Sequence, residues 1–107
     1  MKKIFWLFIL LFSFSLSAQS IKVKGTIKDS VGNALEFANV IASIKATGAT
    51  ESYGITNYQG RYQLDLPKGN IYILRASFLG YETKEQTVNV PADAENIDLD
   101  FILNPQE

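Results

Sequence analysis

Thr56-Asn57-Tyr58-Gln59-Gly60-Arg61-Tyr62-Gln63-Leu64-Asp65-Leu66 is a turn followed at once by strict alternation. The Asn57 side chain can close an Asx turn onto the backbone two residues later. Gly60 reaches a positive φ that strains any residue carrying a Cβ. From there Tyr62, Leu64 and Leu66 fall on one side, and Arg61, Gln63 and Asp65 on the other. A side-chain period of two belongs to a strand with one buried face and one wet face. The stretch therefore reads as a turn that launches a half-buried strand.

The same pattern extends in both directions. Upstream, Ile21, Val23 and Ile27 share a face with Gly25, opposite Lys22, Lys24, Thr26 and Lys28. Asp29-Ser30-Val31-Gly32-Asn33 supplies turn chemistry. Ala38, Val40, Ala42 and Ile44 alternate against Asn39, Ile41, Ser43 and Lys45. A loop around Gly48 precedes a short strand over Glu51 to Ile55. Downstream, Pro67-Lys68-Gly69-Asn70 is a tight turn. Ile71 to Phe78 is apolar on both faces except at Arg75 and Ser77, which predicts a central strand. Glu82 to Val90 reads as a strand that is polar at its start, with a bulge or an exposed portion. Pro91 to Asn96 links to a closing strand with Ile97, Leu99, Phe101 and Leu103 inward, opposite Asp98, Asp100 and Ile102. The sum is an all-β chain: a seven-stranded antiparallel Greek-key sandwich with turn signals about every 8–12 residues.

The first eighteen residues follow a different rule. Met1-Lys2-Lys3 is basic, Ile4 to Leu11 is an unbroken apolar run, and small residues lead to Ala18-Gln19. That is the layout of a secretory leader. The apolar run is short of the roughly 20 residues a spanning helix needs. Cleavage is expected after Ala18, with Ser15-Leu16-Ser17 offering an alternative one residue earlier. The organisation is thus signal peptide 1–18, sandwich domain 19–104 and tail 105–107, with no membrane span in the mature chain. Removing 18 of 107 residues leaves 89, with 8 basic and 11 acidic residues and a net charge of −3. A domain this small buries only about 60–65% of its unfolded surface. It has no cysteine to staple it, so packing and strand pairing must suffice. The acidic balance argues against a nucleic-acid partner, because phosphate neutralisation needs a basic surface.

The chain contains no His and no Cys. A Ser-His-Asp triad, a Cys-His pair and a His-ligated zinc site are therefore impossible within it. Asp98 and Asp100 would share one side of a strand, where a solvated outer face suits them better than a carboxylate mechanism. Lys22, Lys24 and Lys28 form a row that reads as solubility and as protection against edge-to-edge pairing. Asn57, Gly60 and Gly80 are read as structural turn residues. Tyr53, Tyr58 and Tyr81 are the candidates for an aromatic platform that stacks on a sugar. No metal and no cofactor is expected.

Three segments, taken together in order and spacing, resemble the carboxypeptidase-regulatory-like domain, a small secreted sandwich of transthyretin-like topology. They are Ala34-Leu35-Glu36-Phe37-Ala38-Asn39-Val40, Thr56 to Tyr62, and Gly80-Tyr81-Glu82. The family usually shows Thr-Asp-x-x-Gly-x-Phe at the second segment; here Asn57 stands for the Asp and Tyr62 for the Phe. Asn keeps the turn bond and loses the charge, which weakens a metal reading. The resemblance spans about Ile21 to Leu103 and implies a non-catalytic accessory module. Similar domains stand at the N-termini of TonB-dependent outer-membrane receptors of Bacteroidetes-type bacteria and in sugar-associated secreted proteins. It therefore implies an exported binding or assembly module, in the periplasm or at the outer-membrane surface, that offers a strand edge or loops to an envelope protein. The alternatives are the front of such a receptor and a carbohydrate-binding module.

Overall fold

The computed structural model describes residues 20–106; the leader read from residues 1–18 lies outside the described residues. Among the described residues eight strands follow one another: β1 Ser20–Asp29, β2 Asn39–Ile44, β3 Thr50–Ile55, β4 Arg61–Pro67, β5 Asn70–Ser77, β6 Lys84–Val90, β7 Ile97–Asp98 and β8 Phe101–Leu103. Among the described residues no helix is long and apolar enough to cross a membrane. The strands make two four-stranded sheets. One runs β4-β1-β7 with β8 also paired to β1, and the other runs β3-β2-β5-β6.

The alternating side chains decide how the sheets face each other. Ile21, Val23 and Ile27 of β1 are buried with Tyr62, Leu64 and Leu66 of β4 and with Phe101 and Leu103 of β8. From the second sheet come Val40 and Ala42, Tyr72, Leu74 and Ala76, and Val88 and Val90. Each fully buried aliphatic side chain contributes about 1.5–3 kcal/mol of hydrophobic stabilisation. β5 pairs with β2 on one side and β6 on the other, the central place its apolar run predicts; Tyr72, Leu74 and Ala76 are buried on its inner face, while Ile71 and Arg75 are exposed on the outer one. Tyr72 is fully buried, and its hydroxyl donates to the Pro67 carbonyl at 2.6 Å, so its polar tip is satisfied.

The closing segment differs from the single antiparallel strand read from the alternation. It is split into β7 and β8, and both run parallel to β1. Between them the Leu99 carbonyl turns into the sandwich and accepts the Tyr62 hydroxyl, while the Leu99 N–H donates to the Lys24 carbonyl at 2.8 Å. A Cβ on Gly25 would lie 1.7 Å from the Leu99 oxygen, so only glycine admits this crossing. Asp100 was expected on a solvated face beside Asp98. Although exposed, it instead accepts the Thr26 N–H at 2.8 Å and the Thr26 hydroxyl at 3.1 Å. Its carboxylate thus stands where a ladder carbonyl would be.

Two further expectations change. The lysine row lies on β1, which is interior to its sheet and guards no edge. Lys22 instead reaches Asp65 on β4 at 3.2 Å with both side chains solvated, a pair worth at most about 1 kcal/mol. In β6 the exposed portion is present at Lys84 and Glu85, but the bulge is not: β6 pairs with β5 residue for residue from Val90 to Lys84, and the register shift falls in the β2–β3 pair between Ala42 and Ser43.

The register also sorts the loops into two ends. Thr26 faces Arg61, Asn39 faces both Ile55 and Ser77, Ala76 faces Lys84, and Asp29 faces Leu103. Loops 30–38, 56–60 and 78–83 and the segment 104–106 therefore share one end. Loops 45–49, 68–69 and 91–96 share the other, with Ser20.

Two outcomes test this architecture. Gly60 has φ 75°, and a Cβ there would sit 2.8 Å from the Ile27 carbonyl oxygen. Gly60→Val should cost about 1–3 kcal/mol through backbone strain; an unchanged urea midpoint would count against the turn. The Tyr62 phenol is held well above its ordinary value of 10.0, first by burial and then by the Asp100 charge. The folded state therefore keeps this proton when the unfolded chain loses it. Stability that is intact below pH 10.0 drains as pH climbs through the folded value. Tyr62→Phe lacks this slope, so the stability gap between wild type and variant should narrow above pH 10.0. A gap that stays constant in alkaline urea titrations would refute the assignment.

Candidate functional site

The end built by residues 30–38, 56–60, 78–83 and 104–106 concentrates what is unusual about the surface. Val31, Phe37, Tyr58 and Leu79 stand at loop positions with 79%, 70%, 74% and 95% of their surface exposed. Among the described residues, the loops of the opposite end carry no large exposed hydrophobic side chain. Isolated apolar residues on a surface are ordinary, whereas a cluster rimmed by polar groups marks an interaction site.

These loops are held by hydrogen bonds rather than by a core of their own. In the β1–β2 loop, Asp29 Oδ1 accepts the Asn33 N–H at 2.9 Å and the Val31 N–H at 3.0 Å. The Asn33 backbone bond leads in holding the Asp29 carboxyl below its ordinary range. That contribution is present above the unfolded carboxylate pKa and is lost as pH falls. Further along, Thr56 is the one buried polar residue among those described. Its hydroxyl donates to the Leu35 carbonyl at 2.5 Å and accepts the Ala38 N–H at 2.8 Å. The buried Leu35 and Ala38 anchor the same loop apolarly.

In the β3–β4 loop, Asn57 Oδ1 accepts the Gln59 N–H at 2.9 Å and the Arg61 N–H at 3.0 Å. Gly60 follows in the left-handed region, and Tyr58 is thrust outward at the tip. The β5–β6 loop turns at Gly80 with φ 88°. There the Tyr81 ring packs against Phe78 with centroids 5.6 Å apart, and Leu79 is left fully in solvent. Residues 105–106, read as tail from the sequence, are strapped to this loop. Tyr81 bridges Pro105, the Glu82 N–H donates to the Asn104 carbonyl at 2.8 Å, and the Gln106 N–H donates to the Gly80 carbonyl at 2.9 Å.

Phe37 is the sole non-glycine at positive φ among the described residues, at 64°. A bulky side chain in that region is a genuine outlier. The neighbouring bonds impose it: the Phe37 N–H donates to the Thr56 carbonyl at 3.1 Å while Ala38 is pinned to the Thr56 hydroxyl. The backbone cost secures no burial, because the ring points outward. Sequence reasoning passed over Phe37, Leu79 and Val31. Their residue types resemble core positions, and nothing local distinguishes an outward Phe from an inward one.

The three tyrosines proposed as a platform occupy three different settings. Tyr53 lies on the outer face of β3, 71% exposed, opposite Ile41. Ile41 in turn faces Arg75, which pairs with Glu85 at Nε–Oε2 2.7 Å. Tyr58 is at a loop tip, and Tyr81 is half-buried on Phe78. Among the described residues the aromatic contacts are Tyr62–Phe101 and Phe78–Tyr81, so the three rings do not stack on one another. One surface depression of about 520 Å³ lies between residues 44–46 and 69–71; its polar side chains are Lys45 and Asn70, with no acid or nucleophile. No group of three or more acidic, His or Cys side chains among the described residues could hold a metal.

The chain belongs to the CarboxypepD_reg-like domain family, whose model matches residues 23–107. It is 38% identical over 71 residues to the TonB-dependent receptor SusC of Bacteroides thetaiotaomicron. That stretch is 66% of this chain and 6% of the receptor, so the chain spans a small part of that relative. Among solved structures it is similar to the Bacillus anthracis TIE protein, at TM-score 0.65 and 22% identity, covering 80% of this chain and 17% of that one. It is also similar to catechol 1,2-dioxygenase from Acinetobacter radioresistens, at TM-score 0.63 and 14% identity, covering 89% and 55%. At these identities the likeness shows the sandwich fold alone.

Phe37→Gly should relieve a left-handed conformation that costs about 1–2 kcal/mol in a residue with a Cβ. The expected outcome is a melting temperature at or above wild type. Thr56→Val leaves the Leu35 carbonyl and the Ala38 N–H without their buried partner, and should cost about 2–3 kcal/mol. A marked loss of stability in Phe37→Gly would mean that the ring is structural.

Proposed function

We propose that this chain is a non-catalytic module, exported to the cell envelope, that works with a TonB-dependent outer-membrane receptor. The observation that carries this reading is the 38% match to such a receptor across most of the sandwich. Its surface chemistry supports the same view. The described residues gather no metal-ligand cluster, and the sequence has no imidazole or thiol. What the surface offers is rigid loops and exposed apolar side chains, the equipment of an interaction module.

A carbohydrate-binding reading rests on Tyr53, exposed on a sheet face near the Arg75–Glu85 pair. It is the poorer one, because sugar stacking uses aromatic faces and among the described residues no second ring contacts Tyr53. Strand edges are also less suited than the loops. β3 lies close against β4, where a Cβ on Gly54 would approach the Gln63 carbonyl oxygen to 3.1 Å. Gln86 of β6 donates across to the Asp100 carbonyl at 3.1 Å, so both flanks of the sandwich are partly occupied.

The test is fractionation of the source bacterium carrying an epitope-tagged chain, followed by crosslinking. The chain should appear in the envelope fraction with its leader removed, and a TonB-dependent receptor should be crosslinked to it. Recovery in the cytoplasm, or hydrolytic turnover by the purified mature domain, would overturn the proposal.

A further inference from the structure

We propose that the depression where the β3–β4 turn meets the outer face of the β4-β1-β7 sheet binds a carboxylate, through the Arg61 guanidinium, the Lys24 ammonium and the Asn57 and Gln63 amides. The inference is independent of the receptor reading and gives the domain a ligand chemistry of its own.

Strand register assembles the site. Lys24 of β1 is the Cα partner of Gln63 on β4, and Arg61 stands two residues before Gln63, opposite Thr26. Lys24, Arg61 and Gln63 are all exposed on the outer face. Lys24 and Arg61 are therefore diagonal neighbours, about 7–8 Å apart at the backbone, a gap that two long side chains can close onto one small group. With Ile55, Asn57, Tyr62 and Gln63 they line a single depression of about 450 Å³.

The lining is one-sided in its chemistry. Lys and Arg side chains donate and never accept. Among the described residues the ion pairs are Lys22–Asp65 and Arg75–Glu85, so Lys24 and Arg61 belong to neither. Asn57 Oδ1 is committed to the Gln59 and Arg61 N–H groups, and its NH2 end is what the amide has left to offer. The Tyr62 hydroxyl is turned inward onto the Leu99 carbonyl. The backbone of the turn is spent as well: the Asn57 N–H donates to the Arg61 carbonyl and the Gly60 N–H to the Asn57 carbonyl. Donors remain, and no acid lies in the lining. Asn and Asp both close an Asx turn; asparagine closes this one without adding a negative charge. Exposed Ile55 supplies an apolar wall for the carbon that carries the ligand's charge.

Charge balance selects the anion. On this outer face Lys22, Lys24, Lys28 and Arg61 stand against Asp65, Asp98 and Asp100. The excess is one positive charge on a face of a domain whose residues 19–107 carry 8 basic and 11 acidic groups. A carboxylate matches that excess, whereas a phosphate brings about −1.5 to −2. The planar Arg61 fork also suits a carboxylate, which it can hold with two parallel bonds.

The test is an NMR titration of the purified protein at constant ionic strength, following the Arg61 Nε–H and the Asn57 and Gln63 NH2 signals. The probes are N-acetylleucine, an acetylated pentapeptide ending in leucine with a free carboxylate, the same peptide as its C-terminal amide, and inorganic phosphate. Both carboxylates should give saturating shifts, and the amide none. Tighter binding of the pentapeptide would assign the carboxylate to a chain terminus, and equal binding to a small organic acid. Arg61→Gln and Lys24→Gln should each weaken N-acetylleucine at least tenfold. Asn57→Asp should do the same at an unchanged melting temperature, because the new oxygens keep the turn bonds and repel the ligand. Lys68→Gln, at the other end, should bind as wild type does. Shifts reproduced by phosphate at equal or lower concentration, or by the amide, would overturn the proposal. So would a lack of saturation, wild-type affinity in Arg61→Gln, or an equal loss in Lys68→Gln.

Discussion

The Leu99 carbonyl can point into the sandwich only because residue 25 has no Cβ. Around that contact the two halves of the first sheet are joined. Tyr62 on β4 donates to Leu99 across β1, and Asp100 takes over the Thr26 N–H where the closing strand breaks. Without this crossing, β7 and β8 would lose their place beside β1, and the buried Phe101 and Leu103 would have no route to the core. With no cysteine in the sequence, these bonds and the interleaved side chains carry the closure that many small secreted domains obtain covalently.

The loops follow from a related constraint. They run over the end of the sandwich, where there is no second layer to bury them, so polar side chains supply their order. Asp29, Thr56 and Asn57 are short residues whose oxygens reach backbone N–H groups two to eighteen positions away. A loop fixed in this way, with Leu35 and Ala38 buried beneath it, does not need its outward hydrophobic residues for its own stability. Val31, Tyr58 and Leu79 are left free to face outward, and Phe37 is forced to. Local order and apolar exposure, which usually exclude one another, coexist here because different side chains supply them.

The chain belongs to the CarboxypepD_reg-like family and is similar to part of a TonB-dependent receptor, and the proposed role rests on that likeness. Several ionisable groups serve the structure: Asp29 a turn, Asp100 a strand break, Arg75 and Glu85 each other. The large hydrophobic side chains exposed at loop positions are gathered at one end, while Tyr53, Ile71 and Ile102 stand exposed on strands.

The alternation of Ile21, Val23 and Ile27, of Tyr62, Leu64 and Leu66, and of Phe101 and Leu103 determined the all-β class and the inward faces. A side-chain period of two is a property of the extended backbone itself. The turn residues Asn57 and Gly60 were legible for the same local reason, since their chemistry acts within four residues. The antiparallel direction of most pairs was legible too, but the partners and the direction of the closing strands were not. Parallel pairing of β7 and β8 with β1, the interior place of the lysine row, and the redirection of Asp100 to Thr26 join residues up to 74 positions apart. The outward apolar loop residues were hidden too: Phe37 and Leu79 have the composition of core residues, and only the assembled loops decide that they look outward.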